Sequence, residues 1–236
     1  MREENRVAVV TGASRGIGRA IATTFSRGGL KVVLAARDEA AITSLAEQFW
    51  RHGRVALSVP TDVRKRSDCE RLITTTVERM GRLDVLVNNA GIGAFAPVAA
   101  LEEDQLRNVI ETNLYSLFFL CRAAVLQMRS QPEGGHIVNI GSLASKNTFA
   151  GGAAYCASKF GLLAMSECLM LEERYNNVRV TAVLPGSVNT SFAGEADASW
   201  KVPADDVAQA VWDVVSSNHA SLTSLVEIRP LRPPRK

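Results

Sequence analysis

The chain has 236 residues, 47% of them apolar, and a formal net charge of +3, which suits one large domain spanning residues 1–236 and gives no electrostatic footprint for nucleic acid. Lys, Arg, Asp or Glu interrupts every hydrophobic run well before the ~20 residues that a bilayer span needs, so no membrane partner is expected. The polar Met1–Asn5 segment leads straight into a strand-like run rather than an export leader, which predicts a cytoplasmic protein.

The first predicted strand, Val7–Thr11, runs through Thr11-Gly12-Ala13-Ser14-Arg15-Gly16-Ile17-Gly18 into a helix over Gly16–Arg27. Three glycines between a strand and a helix let backbone approach a pyrophosphate, which the helix N-terminus neutralises. Their spacing departs from G-x-G-x-x-G, and packing alone could also account for them. The second strand, Lys31–Ala36, ends against Arg37. In dinucleotide sites a carboxylate about 20 residues past the turn takes the ribose 2′-hydroxyl, whereas an arginine accommodates the 2′-phosphate of NADP. Arg15 and Arg37 form a candidate clamp of that kind, because guanidinium matches phosphate geometry. Asp38 competes by distance, but ahead of Glu39-Ala40-Ala41 it reads as the N-cap of the next helix, Glu39–His52. NADP(H) is therefore expected over NAD.

A strand over Val55–Pro60 and a helix over Ser67–Met80 follow, then a strand at Val85–Asn88 and a long helix over Glu103–Met128. The strand Ile137–Ile140 precedes a second long helix, Gly152–Tyr175, and the chain continues with strand Val178–Leu184, helix Pro203–Ser217 and strand Leu225–Ile228. Gly28, Gly53 and Gly81 are expected C-caps. This alternation predicts an α/β fold: a doubly wound, Rossmann-like domain with seven parallel strands covered by helices on both faces. The two long helices carry apolar residues on more than one face, which suits either a subunit interface or a deeper core. Cys69, Cys121, Cys156 and Cys168 lack metal-ligand or redox-pair spacing and read as free thiols in helices. No metal site is expected, and the Pro230–Lys236 end reads as a flexible tail.

Tyr155 and Lys159 stand one helical turn apart and share a helix face. A tyrosine with a pKa near ~10 is a poor proton donor or acceptor at neutral pH, and an adjacent ammonium would stabilise its phenolate and lower that value. Ser142 follows a strand at the edge where open α/β sheets bind ligands, so its hydroxyl is a candidate for holding a carbonyl oxygen, although taken singly a serine there more often caps or turns the chain. Asn113 lies mid-helix, where asparagine is a mediocre former.

Together these residues resemble a classical short-chain dehydrogenase/reductase over nearly the whole chain. The resemblance rests on the Thr11–Gly18 turn, Asp62-Val63, Asn88-Asn89-Ala90-Gly91, Asn113, Ser142, Tyr155 through Lys159, and Pro185-Gly186 with Thr190. It implies Tyr155 as the general acid for reduction, Ser142 orienting the carbonyl, Lys159 also binding the nicotinamide ribose, and Asn113 holding a relay water. It further implies Asp62 and Val63 at the adenine, Asn89, Ala90 and Gly91 along the cofactor, and Pro185, Gly186, Val188 and Thr190 beside the nicotinamide. Gly12, Ser14, Arg15, Gly16, Ile17, Gly18 and Arg37 complete the implied cofactor set, with Ala36 where NAD-preferring relatives often carry aspartate. Sheet order 3-2-1-4-5-6-7 and a homodimer or homotetramer are implied by the same likeness. The ending Val226-Glu227-Ile228-Arg229-Pro230 departs from the family's glycine-rich one.

The expected activity is hydride transfer between NADP(H) and a small carbonyl or secondary alcohol: a ketone, a 3-oxoacyl compound or a 3-hydroxy acid. A silent cofactor-sensing or scaffold protein of the same fold is the alternative, disfavoured by the full tetrad. A sugar-nucleotide epimerase or dehydratase would need a larger C-terminal region. Phe95, Leu143, Phe149, Phe192 and Trp200 are expected to line an apolar substrate pocket under a lid at Ser191–Lys201.

Overall fold

A computed structural model describes residues 5–193, 199–217 and 221–234. Seven strands form one all-parallel sheet: β1 (Val7–Thr11), β2 (Lys31–Ala36), β3 (Ala56–Pro60), β4 (Val85–Asn88), β5 (Gly135–Ile140), β6 (Val178–Pro185) and β7 (Leu225–Ile228), in the order β3-β2-β1-β4-β5-β6-β7. The strands read as unbroken apolar runs because both faces of the sheet are covered. On one face Val10, Leu34, Val87, Ile140 and Val183 pack under α1 (Gly16–Arg27), α2 (Glu39–Arg51) and α7 (Ala204–Ser216). On the other, Val9, Val33, Leu86, Ile137 and Val180 meet α3 (Arg66–Met80), α5 (Ser116–Arg129) and α6 (Ala153–Glu173). The strand order reverses between β1 and β4, and in open α/β sheets ligands bind at such a switch point, outside the carboxyl ends of the strands.

Most expected boundaries hold within two residues, and the exceptions have physical causes. The expected helix Glu103–Met128 runs as α4 (Glu103–Ile110), a π turn at Glu111–Tyr115, and α5. Gly28 does end α1, but in right-handed backbone; the left-handed residue is Gly29 at φ +96°. Gly28 is glycine for packing, since a Cβ there would collide with the Trp212 ring on α7. Gly81 caps α3 at φ +86° as expected, and Asp38 caps α2 by accepting from the Ala41 N–H at 3.0 Å.

Glu103–Arg129, taken through its π turn, is long and apolar enough to cross a membrane by length and composition, and half of its most apolar window is buried in the fold. The expectation drawn from uninterrupted apolar runs missed this, because a windowed average tolerates the charges that break a run. α5 packs against α3 and β5, and α4 against α6. All four cysteines are free; Cys69, Cys121 and Cys156 are buried, and burial pushes the Cys69 and Cys121 thiols up to about 12.

Candidate active site

One hydroxyl ties the backbone together at the switch point. Thr11, the last residue of β1, donates from Oγ1 to the Val87 carbonyl at 3.2 Å and accepts from the N–H groups of Asn89 and Ala90 at 3.0 and 3.1 Å. The Asn89 amide returns to the Thr11 carbonyl at 2.9 Å. The ends of β1 and β4 are thereby locked side by side, with Gly12 between them at φ +66°. A Cβ on Gly12 would stand 2.9 Å from Asn89 Nδ2, and one on Gly18 would fall on the Gly12 carbonyl oxygen. Gly16 stands at φ +56°, where an added Cβ would meet Thr190 Cγ2 at 3.4 Å.

At the start of α1, Arg15 stands at the N-cap in extended backbone with no side-chain cap bond, and the first turn carries no acid. Its N–H groups are thus left to an anion, which is what a pyrophosphate requires. Ser14 is half-buried beside it, and Ile17 packs on the core below. Gly12 and Gly18 leave no room for a Cβ, and Gly12 and Gly16 need left-handed backbone; a turn so bare of side chains fits the close approach of a dinucleotide. Arg15 and Arg37 are both exposed. Val63 is buried, while the Asp62 carboxylate is taken up by Arg64 at 2.6 Å.

The loop after β6 arches back toward the turn. Pro185 ends β6, the Gly186 N–H donates to the Ile228 carbonyl at 2.8 Å, and Val188 bridges Val202 before Thr190 reaches Gly16. Pro230 and Leu143 lie so close to Gly186 that an added Cβ would meet them at 3.0 and 3.1 Å. The start of the expected tail therefore packs on this loop, whereas Leu231 beyond it is exposed. Of the expected lid, residues 194–198 lie outside the described residues, as do residues 235–236 of the tail.

Ser142, one residue past Gly141 at the end of β5, caps a turn, one of the two parts expected of it. Its Oγ accepts from the Ala144 N–H at 3.1 Å, capping a short 3₁₀ turn, and it hydrogen-bonds Tyr155. Tyr155 and Lys159 rise from the first two turns of α6 on one face. Lys159 is buried, and its Nζ donates to the Ile140 carbonyl at 2.9 Å while standing 5.8 Å from the Tyr155 ring centre. Burial alone brings the Lys159 ammonium down to about 8. Burial also raises Tyr155, only partly opposed by the Ser142 hydrogen bond. The expected lowering of Tyr155 by the neighbouring ammonium is absent here, because lysine spends its bond on backbone and desolvation outweighs the rest.

Asn113 occupies the π turn, a helical irregularity frequent at functional sites. Its Oδ1 accepts from the Ile92 N–H, and its Nδ2 donates to the Ile92 carbonyl and to Ser158 Oγ, each at 2.9 Å. Both of its N–H donors and one acceptor position of Oδ1 are thus filled by protein, and Gly91 lies against Oδ1, where a Cβ would come within 3.2 Å. Ser158 was not among the expected residues. Its signal is weak: a serine three residues after Tyr155, placed to bond back to the Tyr155 carbonyl, which it does at 2.7 Å.

Above Tyr155 stand three half-exposed rings. Phe95 approaches Tyr155 edge-on at 5.5 Å, Phe192 lies 5.8 Å from it, and Phe149 lies 6.0 Å from Phe95. Gly93 and Gly152 make room for them, since a Cβ on either would press on Phe95 or Phe149. Leu143 lies alongside against Gly186. The contact found for Trp200 is with Lys201, whose Nζ stands 5.9 Å from its ring centre, and not with this cluster.

A family model described as short chain dehydrogenase matches residues 6–200. Sepiapterin reductase from Chlorobaculum tepidum is 37% identical over 198 residues, 81% of each chain. A metagenomic short-chain oxidoreductase solved in complex with NADP superposes with a TM-score of 0.87 at 36% identity, covering 99% of this chain and 100% of that one. An alcohol dehydrogenase from the archaeon Thermococcus sibiricus, solved with 5-hydroxy-NADP, superposes with a TM-score of 0.91 at 28% identity, covering 98% and 99%.

Proposed function

The chain belongs to the short chain dehydrogenase family, and from that premise we propose that it is an NADP(H)-preferring oxidoreductase that interconverts a neutral, apolar ketone and its secondary alcohol. The observation that supports this reading is that Ser142, Tyr155 and Lys159 come together in a fold whose first strand ends in the Gly12–Gly18 turn.

The bound nicotinamide supplies or receives the hydride. Ser142 Oγ orients the carbonyl oxygen, and Tyr155 Oη gives that oxygen its proton during reduction and takes it back during oxidation. A Tyr155 hydroxyl whose pKa is raised stays protonated at neutral pH, the form needed to donate. Lys159 holds the nicotinamide ribose and supplies positive charge beside the phenolate as the proton leaves. Asn113 anchors the Gly91–Ile92 segment along the cofactor and lies on the proton path to solvent. Gly12, Ser14, Gly16, Ile17 and Gly18 hold the pyrophosphate, Asp62 and Val63 the adenine, and Asn89 and Ala90 the ribose side. Pro185, Gly186, Val188 and Thr190 bound the nicotinamide, and Arg15 with Arg37 takes the 2′-phosphate.

Phe95, Phe149 and Phe192 favour an apolar substrate without negative charge, because an anion placed against three rings would lose hydration without compensation. Tyr115, Phe118 and Leu126 on the long helix, with Phe160 and Leu171 on α6, are exposed; covering these faces in a homodimer or homotetramer accounts for them. The chain acts as one cytoplasmic domain.

The test is to follow NADPH and NADH oxidation with aryl, alicyclic and aliphatic ketones and with 2-oxo acids, for the wild type and Tyr155→Phe. Turnover of a neutral ketone with NADPH, reduced by about 10²–10⁴-fold in the variant, is the expected result. Turnover retained by Tyr155→Phe, or a preference for 2-oxo acids, overturns it.

A further inference from the structure

Past the end of β3 an acid and an arginine are locked together. Asp62 follows β3, and Arg64 lies two residues on. Arg64 donates from Nε to Asp62 Oδ1 and Oδ2 at 3.0 and 3.2 Å, from Nη2 to Oδ2 at 2.6 Å, and from its backbone N–H to Oδ1 at 3.2 Å. The guanidinium is braced from another element, because Nη1 donates to Asn108 Oδ1 on α4 at 3.3 Å. Asp62 also caps nothing else: its own N–H is taken by Asp68 Oδ2 at 3.0 Å.

The charges around this pair set up a competition. The hydrogen bond from Arg64 holds the Asp62 carboxyl below its usual range, against an opposing effect of burial, and the charges of both Arg64 and Arg37 add to the lowering. Glu111, on the π turn, is the further acid that acts on Arg64. One carboxylate is thus shared between an arginine in contact and a second at longer range. An Asp62 left unpaired would draw Arg37 toward itself and would repel any dianion placed beside Arg37. Arg37, Arg64, Asp62 and Glu111 balance in charge; without Arg64 they carry one net negative charge.

Building on the assignment of Arg37 to the 2′-phosphate, we propose that Arg64 is a specificity-determining residue for NADP(H), acting through Asp62. It does not itself need to touch the phosphate. By occupying both oxygens of Asp62 it leaves Arg37 free and removes a repelling charge, an effect that a cofactor with a bare 2′-hydroxyl does not feel.

The experiment is calorimetric titration of NADPH and NADH into wild type, Arg64→Gln, Asp62→Asn and the double variant at one fixed ionic strength, since these contacts are screened by salt. Arg64→Gln is expected to weaken NADPH about tenfold while changing NADH less than about threefold, the size expected of one lost charge near a surface. In the double variant, where no carboxylate remains to be neutralised, the NADPH-to-NADH ratio is expected to return to within about threefold of wild type. Arg64→Lys should recover part of it as a point charge without the fork. A ratio unchanged in Arg64→Gln overturns the proposal, as does equal weakening of both cofactors, which marks Arg64 as a brace of the loop. A wild type with no preference for NADPH overturns the NADP(H) assignment itself, and this proposal with it.

Discussion

Ser158 Oγ accepts a hydrogen bond from the Asn113 amide at 2.9 Å and donates one to the Tyr155 carbonyl at 2.7 Å, both inside the fold. The π turn of the long helix is thereby tied to the turn of α6 that carries Tyr155 and Lys159. Ser158→Ala leaves a buried N–H of Asn113 without an acceptor, and the expected loss is about 1–3 kcal/mol of stability in denaturant melts. Turnover should fall more than cofactor affinity, because the change disturbs the aim of Tyr155 and not the glycine turn. A variant as stable and as fast as wild type would show that the bond contributes nothing.

Lys159 makes stability depend on pH in the same direction as a carboxylate whose pKa falls on folding, and opposite to a lysine whose pKa is raised by a partner. Its pKa falls from 10.5 to about 8 on folding because the ammonium is buried. Below pH 8 both states hold the proton and the folded state bears the full desolvation cost; between about 8 and 10.5 the unfolded state binds more proton. Stability contributed at this site therefore rises with pH through that window. Lys159→Met, which has nothing to titrate, should be at least as stable as wild type at pH 7, and the difference should shift in favour of wild type between pH 8 and 10.5. Melts across that range check it, and parallel curves for the two proteins would refute the assignment.

Gly28 and Trp212 test whether a helix-ending glycine serves backbone or packing. Gly28→Ala requires the Trp212 ring to move, and overpacking of this kind costs about 1–3 kcal/mol. In a Trp212→Leu background the same change should cost less than half as much. If the two costs are equal, the conformation of Gly28, and not the ring, is what matters.

Phe149 meets Phe95 but not Tyr155 within the ring contacts found, so it is the cluster member best separated from the chemistry. Phe149→Ala should raise KM for an apolar ketone by about tenfold or more, as loss of buried apolar area predicts, with kcat changed by less. Phe95→Ala should alter both, since that ring lies edge-on to Tyr155. An unchanged KM in Phe149→Ala would place the substrate elsewhere.

The sequence by itself determined the alternation of strands and helices, the parallel sheet and the position of the glycine turn, because those depend on local signals: β-branched runs, glycine where a Cβ cannot fit, and Asp38 ahead of a helix. Spacing alone also put Tyr155 and Lys159 on one face. What only the tertiary structure decided are relations between groups distant in the chain. No local pattern reveals that Asn113 sits in a π turn against Ile92 and Ser158, or that Gly28 faces Trp212. Nor could spacing show that Lys159 spends its bond on Ile140 while burial raises Tyr155, because desolvation depends on everything packed around a group and not on its neighbours in sequence.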